Sequence, residues 1–239
     1  MEDIVAKVGE GVEFENASWN FGKNVVDSFE EHVKRSVPLY SEGHELILKM
    51  SDYFIKDDSI AYDIGCSAGL LTYRLAKYNQ NKSAKVVGLD IESAMIKKAT
   101  KKYKLSNLEY VNDDILAYDF SKTDFVVSYY TMQFISPNQR QILFDKIYDM
   151  LNWGGAFLLF EKVRAPDARF QDIMSSVYVD YKLEQGYKSN EIIAKSRSLK
   201  GVLEPFSTQG NIDLLKRAGF VDYMSIMKYV CFEGFLAIK

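Results

Sequence analysis

The sequence predicts an α/β protein built on a doubly wound, mostly parallel sheet of seven strands, with helices before the sheet and a helical lid near its end. Three observations predict this. From about residue 60, short apolar runs alternate with amphipathic stretches of helical period. A run of small residues, Gly65-Cys66-Ser67-Ala68-Gly69, joins the first of those runs to the amphipathic stretch after it. An acid, Asp90, closes the next apolar run about 20 residues further on, the spacing of a nucleoside-binding α/β unit.

In chain order, residues 1–20 read as a loose arm. Residues 24–36 and 41–55 read as two helices broken at "SVPLY", where Pro38 stops the first. "SIAYDI" is a strand, and "GLLTYRLAKY" a helix. "AKVVGLD" is the next strand, followed by the helix "SAMIKKATKKY" with Ser93 expected as its N-cap. "LEYVND" and "DFVVSYY" are strands, "NQRQILFDKIYDML" is a helix, and "GAFLLFEK" is a strand entered from a Gly154-Gly155 turn. Residues 167–198 read as helical with no strand between, and "TQGNIDLLKRAGF" as a last helix stopped by Gly219. "VDYMSIMKYVCFEGFLAIK" then reads as two strands forming an antiparallel pair at the sheet edge. The four prolines, Pro38, Pro137, Pro166 and Pro205, all fall at expected boundaries. This divides one domain into N-terminal helices (1–57), a cofactor-binding core (58–162), a helical lid insertion (163–207) and a last helix with its strand pair (208–239).

Composition narrows the class. The 239 residues are 47% hydrophobic and 26% charged, enough apolar material for a sizeable core. A net charge of -3 gives no overall attraction to nucleic acid or anionic membrane. The one basic run, "IKKATKKYK", spreads its lysines over the outer face of a helix that buries Met95, Ile96 and Ala99, and reads as a solvated face. Cys66 and Cys231 have no ligand spacing, and His32 and His44 are the only histidines, so no metal site is expected. The two histidines are expected in surface or packing roles. The N-terminus carries no apolar signal core and no run approaches a membrane span, so the expectation is a cytoplasmic protein with no membrane partner.

The candidate ligand residues stand at strand ends. Ligands of open parallel sheets bind there, and small residues let a ligand approach the backbone. Asp90 can accept from both hydroxyls of a ribose. Asp114, in "NDDI", can accept from an adenine amino group with Ile115 against the ring; the plain alternative is a turn or helix cap. A dinucleotide needs room for a pyrophosphate at the helix N-terminus, and Ser67 fills the position where that pattern has its middle glycine. S-adenosylmethionine has ribose and adenine without phosphates and suits the pattern better.

Residues 60–160 resemble a class I S-adenosylmethionine-dependent methyltransferase, a Rossmann-like fold. More narrowly, the chain from about Trp19 to Lys239 resembles the carboxy-S-adenosylmethionine synthase family. The likeness is carried by "RSVPLY", "YDIGCSAG", "AMI", "TMQF", "LFDKIYDMLNWGGAFLLFEK", "GY" and "RAGF". It implies a reversed final strand, a homodimer, and cofactor contacts from Tyr40, Gly65, Cys66, Ser67, Asp90, Ile91, Asp114 and Ile115; the reading of the turn itself adds Asp63 and Gly69, which flank it. Where the family has an Asn at the end of the fourth strand this chain has Tyr129, read as the corresponding cofactor contact. Where the family has a lid arginine it has Ser196, with Arg197 next door.

The resulting expectation is methyl transfer from S-adenosylmethionine to a small-molecule acceptor, without direct nucleic-acid binding. The alternatives are carboxy-S-adenosylmethionine synthesis from prephenate and another small-molecule use of the sulfonium, such as intramolecular alkylation. Displacement at a sulfonium mainly needs a nucleophile held close and aligned, so no catalytic triad is required. If the acceptor must lose a proton, or an acidic group must be held, the candidate catalytic residues are Tyr129, Tyr178 and Arg197. Further candidates are Tyr130, Glu161, Arg164, Asp180 and Tyr181.

Overall fold

A computed structural model describes residues 6–8, 12–14 and 29–239. Its elements are β1 (Ala6–Val8), β2 (Val12–Phe14), α1 (Phe29–Ser36), α2 (Tyr40–Phe54), β3 (Ile60–Ile64), α3 (Leu70–Tyr78), β4 (Lys85–Asp90), α4 (Ser93–Lys102) and β5 (Leu108–Asn112). They continue through β6 (Thr123–Tyr129), a 3-10 turn (Met132–Phe134), α5 (Pro137–Met150), β7 (Leu151–Lys162), α6 (Ala168–Glu184), α7 (Ser189–Ser198), α8 (Thr208–Ala218), β8 (Asp222–Tyr229) and β9 (Phe232–Ile238).

The main sheet has seven strands in the order β5-β4-β3-β6-β7-β9-β8. β5 to β7 run parallel, and β9 is antiparallel to both β7 and β8. The reversed strand is therefore inserted between β7 and β8. The order turns back at β3, which pairs with β4 on one side and β6 on the other. That reversal is where open α/β sheets leave a crevice beyond their strand ends.

Strand periodicity sorts the core onto two faces. Tyr62, Ile64, Val87, Leu89, Val126, Phe157 and Leu159 face one way, against Leu143, Phe144 and Ile147 of α5 and Leu214 and Leu215 of α8. Ala61, Val86, Phe125, Val127, Leu158 and Phe160 face the other, against Ile47 and Leu48 of α2 and Leu71 and Leu75 of α3. Burying both faces explains why these strands read as nearly continuous apolar runs.

Several expectations are modified. Two short antiparallel strands, β1 and β2, occupy part of the expected loose arm. The rest of residues 1–20, and residues 24–28 of the first predicted helix, lie outside the described residues. Ser93 opens α4 but is not its N-cap: Glu92 holds that position, with no side-chain cap. The Glu92 amide instead donates to Asp90 Oδ1 at 2.9 Å, so the preceding acid satisfies this end of the helix. β7 begins at Leu151 rather than after Gly154-Gly155. Leu151 pairs with Thr123 and Ala156 with Phe125, and the surplus residues bulge out with Gly154 at φ +78°. The expected prolines do mark boundaries, with Pro137 in the first turn of α5.

Candidate active site

β3 ends at Ile64, but its ladder continues: Gly65 N and Cys66 N both donate to Leu89 O of β4, at 2.8 and 2.9 Å. The chain then turns sharply, with Gly65 at φ +75°, Ser67 at +50° and Gly69 at +80°. Glycine removes the steric cost of that conformation at two of these positions. Ser67 has no such freedom and is held by its backbone N–H, which donates to Asp90 Oδ2 at 2.8 Å.

The two outer glycines are small for a reason the sequence did not reveal. A Cβ on Gly65 would strike the side chain of Thr131, and one on Gly69 would meet Tyr110 and Ala99. The protein's own side chains fill those spaces. Tyr110 also fastens the turn by donating from its hydroxyl to Gly69 O at 2.9 Å.

Acids stand at three successive strand ends. Asp63 is buried; its Oδ2 accepts from Thr72 Oγ1 at 2.7 Å, and burial pushes its carboxyl up to about 7. Asp90 accepts from Ser67 N and Glu92 N, one on each oxygen, and burial raises it too. A carboxylate has roughly four acceptor positions, so each Asp90 oxygen keeps one. Asp114 Oδ1 accepts from Leu116 N at 2.9 Å, the local turn cap weighed as its plain alternative, while Asp114 also borders the cavity beside buried Ile115.

These ends open into one cavity of about 780 Å³, toward the upper part of the roughly 300–1,000 Å³ usual for ligand sites. Every residue expected as a cofactor contact borders it: Tyr40, Asp63, Gly65, Cys66, Ser67, Gly69, Asp90, Ile91, Asp114, Ile115 and Tyr129. No group of His, Cys, Asp and Glu among the described residues is arranged to hold a metal ion.

The catalytic candidates fare differently. Tyr129 lies in an aromatic box, its ring centroid 5.1 Å from Tyr40, 4.9 Å from His44 and 5.0 Å from Phe160. Its hydroxyl donates to Tyr40 O at 2.7 Å, and burial holds its proton far more tightly than usual, so it is a structural donor rather than a base. Tyr178 borders the cavity, but its hydroxyl is likewise engaged, donating to Ser36 O at 2.8 Å. Arg197 is exposed on α7 and does not border the cavity; Ser196 and Lys195 do. The change of about 100° per helical residue separates them. Tyr130 and Arg164 border the cavity, whereas Glu161, Asp180 and Tyr181 do not. His32 and His44 are both buried, and burial lowers each to about 3, which keeps them neutral packing groups.

Sequence reasoning missed the cationic wall of the cavity, formed by Lys162, Lys182 and Lys195. Burial lowers all three, Lys182 to about 8. Two signals were available. Lys162 ends the strand just after the apolar run "AFLLF" and Glu161, and Lys182 follows Tyr178 by four residues, on the same helical face.

Comparison with known proteins fits this architecture. Residues 61–155 match the family described as "Methyltransferase domain". A carboxy-S-adenosyl-L-methionine synthase of Nautilia profundicola is 36% identical over 223 residues, covering 92% of this chain and 94% of that protein. One from Campylobacter jejuni subsp. jejuni is 36% identical over 241 aligned residues, spanning 100% of both. Among solved structures, human N-acetylserotonin methyltransferase in complex with its S-adenosylmethionine ligand superposes with a TM-score of 0.60 at 17% identity. A putative O-methyltransferase from Nostoc punctiforme superposes with a TM-score of 0.65 at 14% identity. Each similarity covers 90% of this chain but only 58% and 59% of those longer chains, and it speaks to the fold alone. The chain therefore belongs to the carboxy-S-adenosyl-L-methionine synthase family, on the Rossmann-like class I methyltransferase fold.

Proposed function

We propose that this chain is an S-adenosylmethionine-dependent transferase that holds its cofactor along the ends of β3, β4 and β5 and moves a group to a small-molecule acceptor. The observation that carries this is the set of acids at successive strand ends, all facing one cavity and one of them locked to the turn. Asp90 suits ribose hydroxyls because each of its oxygens retains an acceptor position. Asp114, with Ile115 and Met95 on the cavity wall, suits an adenine: a polar edge beside apolar faces. The Gly65-Cys66-Ser67 backbone and Asp63 would border the amino-acid end.

Bound there, the sulfonium supplies an activated leaving group. The chain's own contribution is orientation and exclusion of water. Tyr40 and Tyr129 form a rigid aromatic wall, and α6 and α7 cover the side away from the sheet. Calorimetric titration with S-adenosylmethionine tests the reading. Saturable binding, weakened in Asp90→Ala, supports it; no binding at millimolar cofactor rejects it.

Carboxy-S-adenosylmethionine synthesis from prephenate is the second reading, favoured by the names of relatives that align over nearly the whole chain. Against it stands Ser196, which occupies the position of the family's lid arginine, while Arg197 faces solvent. Mass spectrometry after incubation with S-adenosylmethionine and prephenate separates the two. A cofactor heavier by one carboxylate establishes the second reading, and unchanged cofactor rejects it. Intramolecular alkylation would instead consume the cofactor with no second substrate.

Membership of the family also supports a cytoplasmic homodimer. Phe170, Ile173 and Val177 form an exposed apolar stripe on the outer side of α6, suited to a second copy. No helix among the described residues is long and apolar enough to cross a membrane. Light scattering gives the oligomeric state directly.

A further inference from the structure

Helix α6 has 17 residues, and the one it buries is a lysine. Lys182 is 7% exposed, its ammonium 4.3 Å from the centroid of the Tyr178 ring. Lys162, arriving from the end of β7, places its ammonium 4.5 Å from the same centroid. One aromatic ring thus carries two cations, and both lysines border the cavity. Tyr178 is fixed by its hydroxyl on Ser36 O and by an edge contact with Phe232, 5.2 Å between centroids.

Nothing nearby balances this charge among the described residues. No ion pair joins either lysine to a carboxylate, and neither ammonium donates a hydrogen bond. The neighbouring Cys231 thiol is pushed up by burial and stays neutral. Lys195 adds a third amine to the wall, already directed to Ser36 Oγ at 2.8 Å and His32 Nε2 at 2.5 Å. Cation–π contact with one ring does not offset the desolvation that taking two like charges out of water costs. Two cations on one ring, Lys182 buried and Lys162 half-buried, without a counter-charge are the pattern of a site whose counter-charge arrives with a ligand.

We propose that Lys162 and Lys182, mounted on Tyr178, form a subsite for an oxyanion group of the acceptor, a carboxylate or a phosphate. This rests on the reading that S-adenosylmethionine occupies the β3–β5 side of the same cavity. It assigns recognition of the acceptor's acidic group to β7 and α6, across the cavity from the adenine-side residues. Lysine suits the task as a point charge that reaches an anion without fixing its plane.

The experiment uses the full-length chain with malonate and inorganic phosphate as probes, at constant ionic strength set with sodium chloride. Binding and thermal melting are measured for wild type, Lys182→Met, Lys162→Met and Lys182→Arg. At least one probe is expected to bind wild type saturably and raise its Tm. Affinity should fall at least tenfold in each methionine variant, and Lys182→Arg should retain part of it. Without probe, Lys182→Met should melt higher than wild type, because an uncompensated charge is gone; this also shows that the variant folds. Binding of neither probe, or equal binding by wild type and a folded Lys182→Met, overturns the proposal. Cofactor affinity is titrated in parallel, so loss of the cofactor reading in wild type is seen separately from the anion result.

Discussion

The backbone N–H of Ser67 donates to Asp90 Oδ2 across 2.8 Å, so the acid ending β4 fixes the turn that follows β3. One side chain thereby shapes the small-residue turn and faces the cavity beside it. The same acid receives Glu92 N and steadies the start of α4.

Asp90→Asn should therefore weaken S-adenosylmethionine binding by tenfold or more, about 1.4 kcal/mol. The amide replaces one acceptor oxygen with a donor, facing either Ser67 N or Glu92 N with the wrong polarity. Calorimetry on the variant, with its Tm recorded, distinguishes a binding defect from loss of fold.

Two glycines of similar backbone angle should respond differently to alanine. Gly65 (φ +75°) has Thr131 where a Cβ would go, whereas Gly154 (φ +78°) has nothing within 4 Å. Gly154→Ala should cost only the left-handed strain, roughly 1–2 kcal/mol. Gly65→Ala adds a clash with packed side chains and should cost about 1–3 kcal/mol more. Urea denaturation of both variants checks the difference.

Stability should fall as the pH rises through neutrality. Burial lifts Glu161 from 4.5 to about 8, so the folded state holds a proton that the unfolded state releases. The resulting stabilisation is complete below pH 4.5 and lost as the pH rises through about 8. Asp63 acts in the same direction, with its loss complete near pH 7. Glu161→Gln should remove the upper part of this decline, so its Tm should drop less than wild type between pH 6 and 9.

Tyr129 should behave as a wall rather than an acid or base. Tyr129→Phe removes the bond to Tyr40 O but keeps the ring, and should cost about 1 kcal/mol with turnover little changed. Tyr129→Ala empties the box between Tyr40, His44 and Phe160 and should cost about 3–5 kcal/mol. A large loss of turnover in a stable Tyr129→Phe variant would restore a chemical role.

Much of this was legible in the sequence because the relevant signals are local. Alternation of apolar strands and amphipathic helices marks a parallel sheet, and "YDIGCSAG" with Asp90 places its cavity at the ends of neighbouring strands. What escaped reading depends on contacts between distant segments. Gly65 reads as room for a ligand until Thr131, arriving after β6, is seen to fill the space. Lys182 carries no mark of burial in the sequence, since lysines are rarely buried, until Tyr178 is seen beside it. The exposure of Arg197 follows from helix phase, which a difference of one residue in register is enough to change.

β3 lies between β4, reached through a single helix, and β6, which comes only after β5 and a further crossing of the sheet. The cavity follows that long-range pairing, drawing its lining from Phe29 to Phe232. During synthesis, a chain that has made only β3 to β5 has its acids but lacks Thr131 behind the turn and the lysines opposite. Non-local strand pairings of this kind form late. Cofactor capture is thus reserved for the completed chain, and its onset in a refolding experiment marks the end of assembly rather than its first steps.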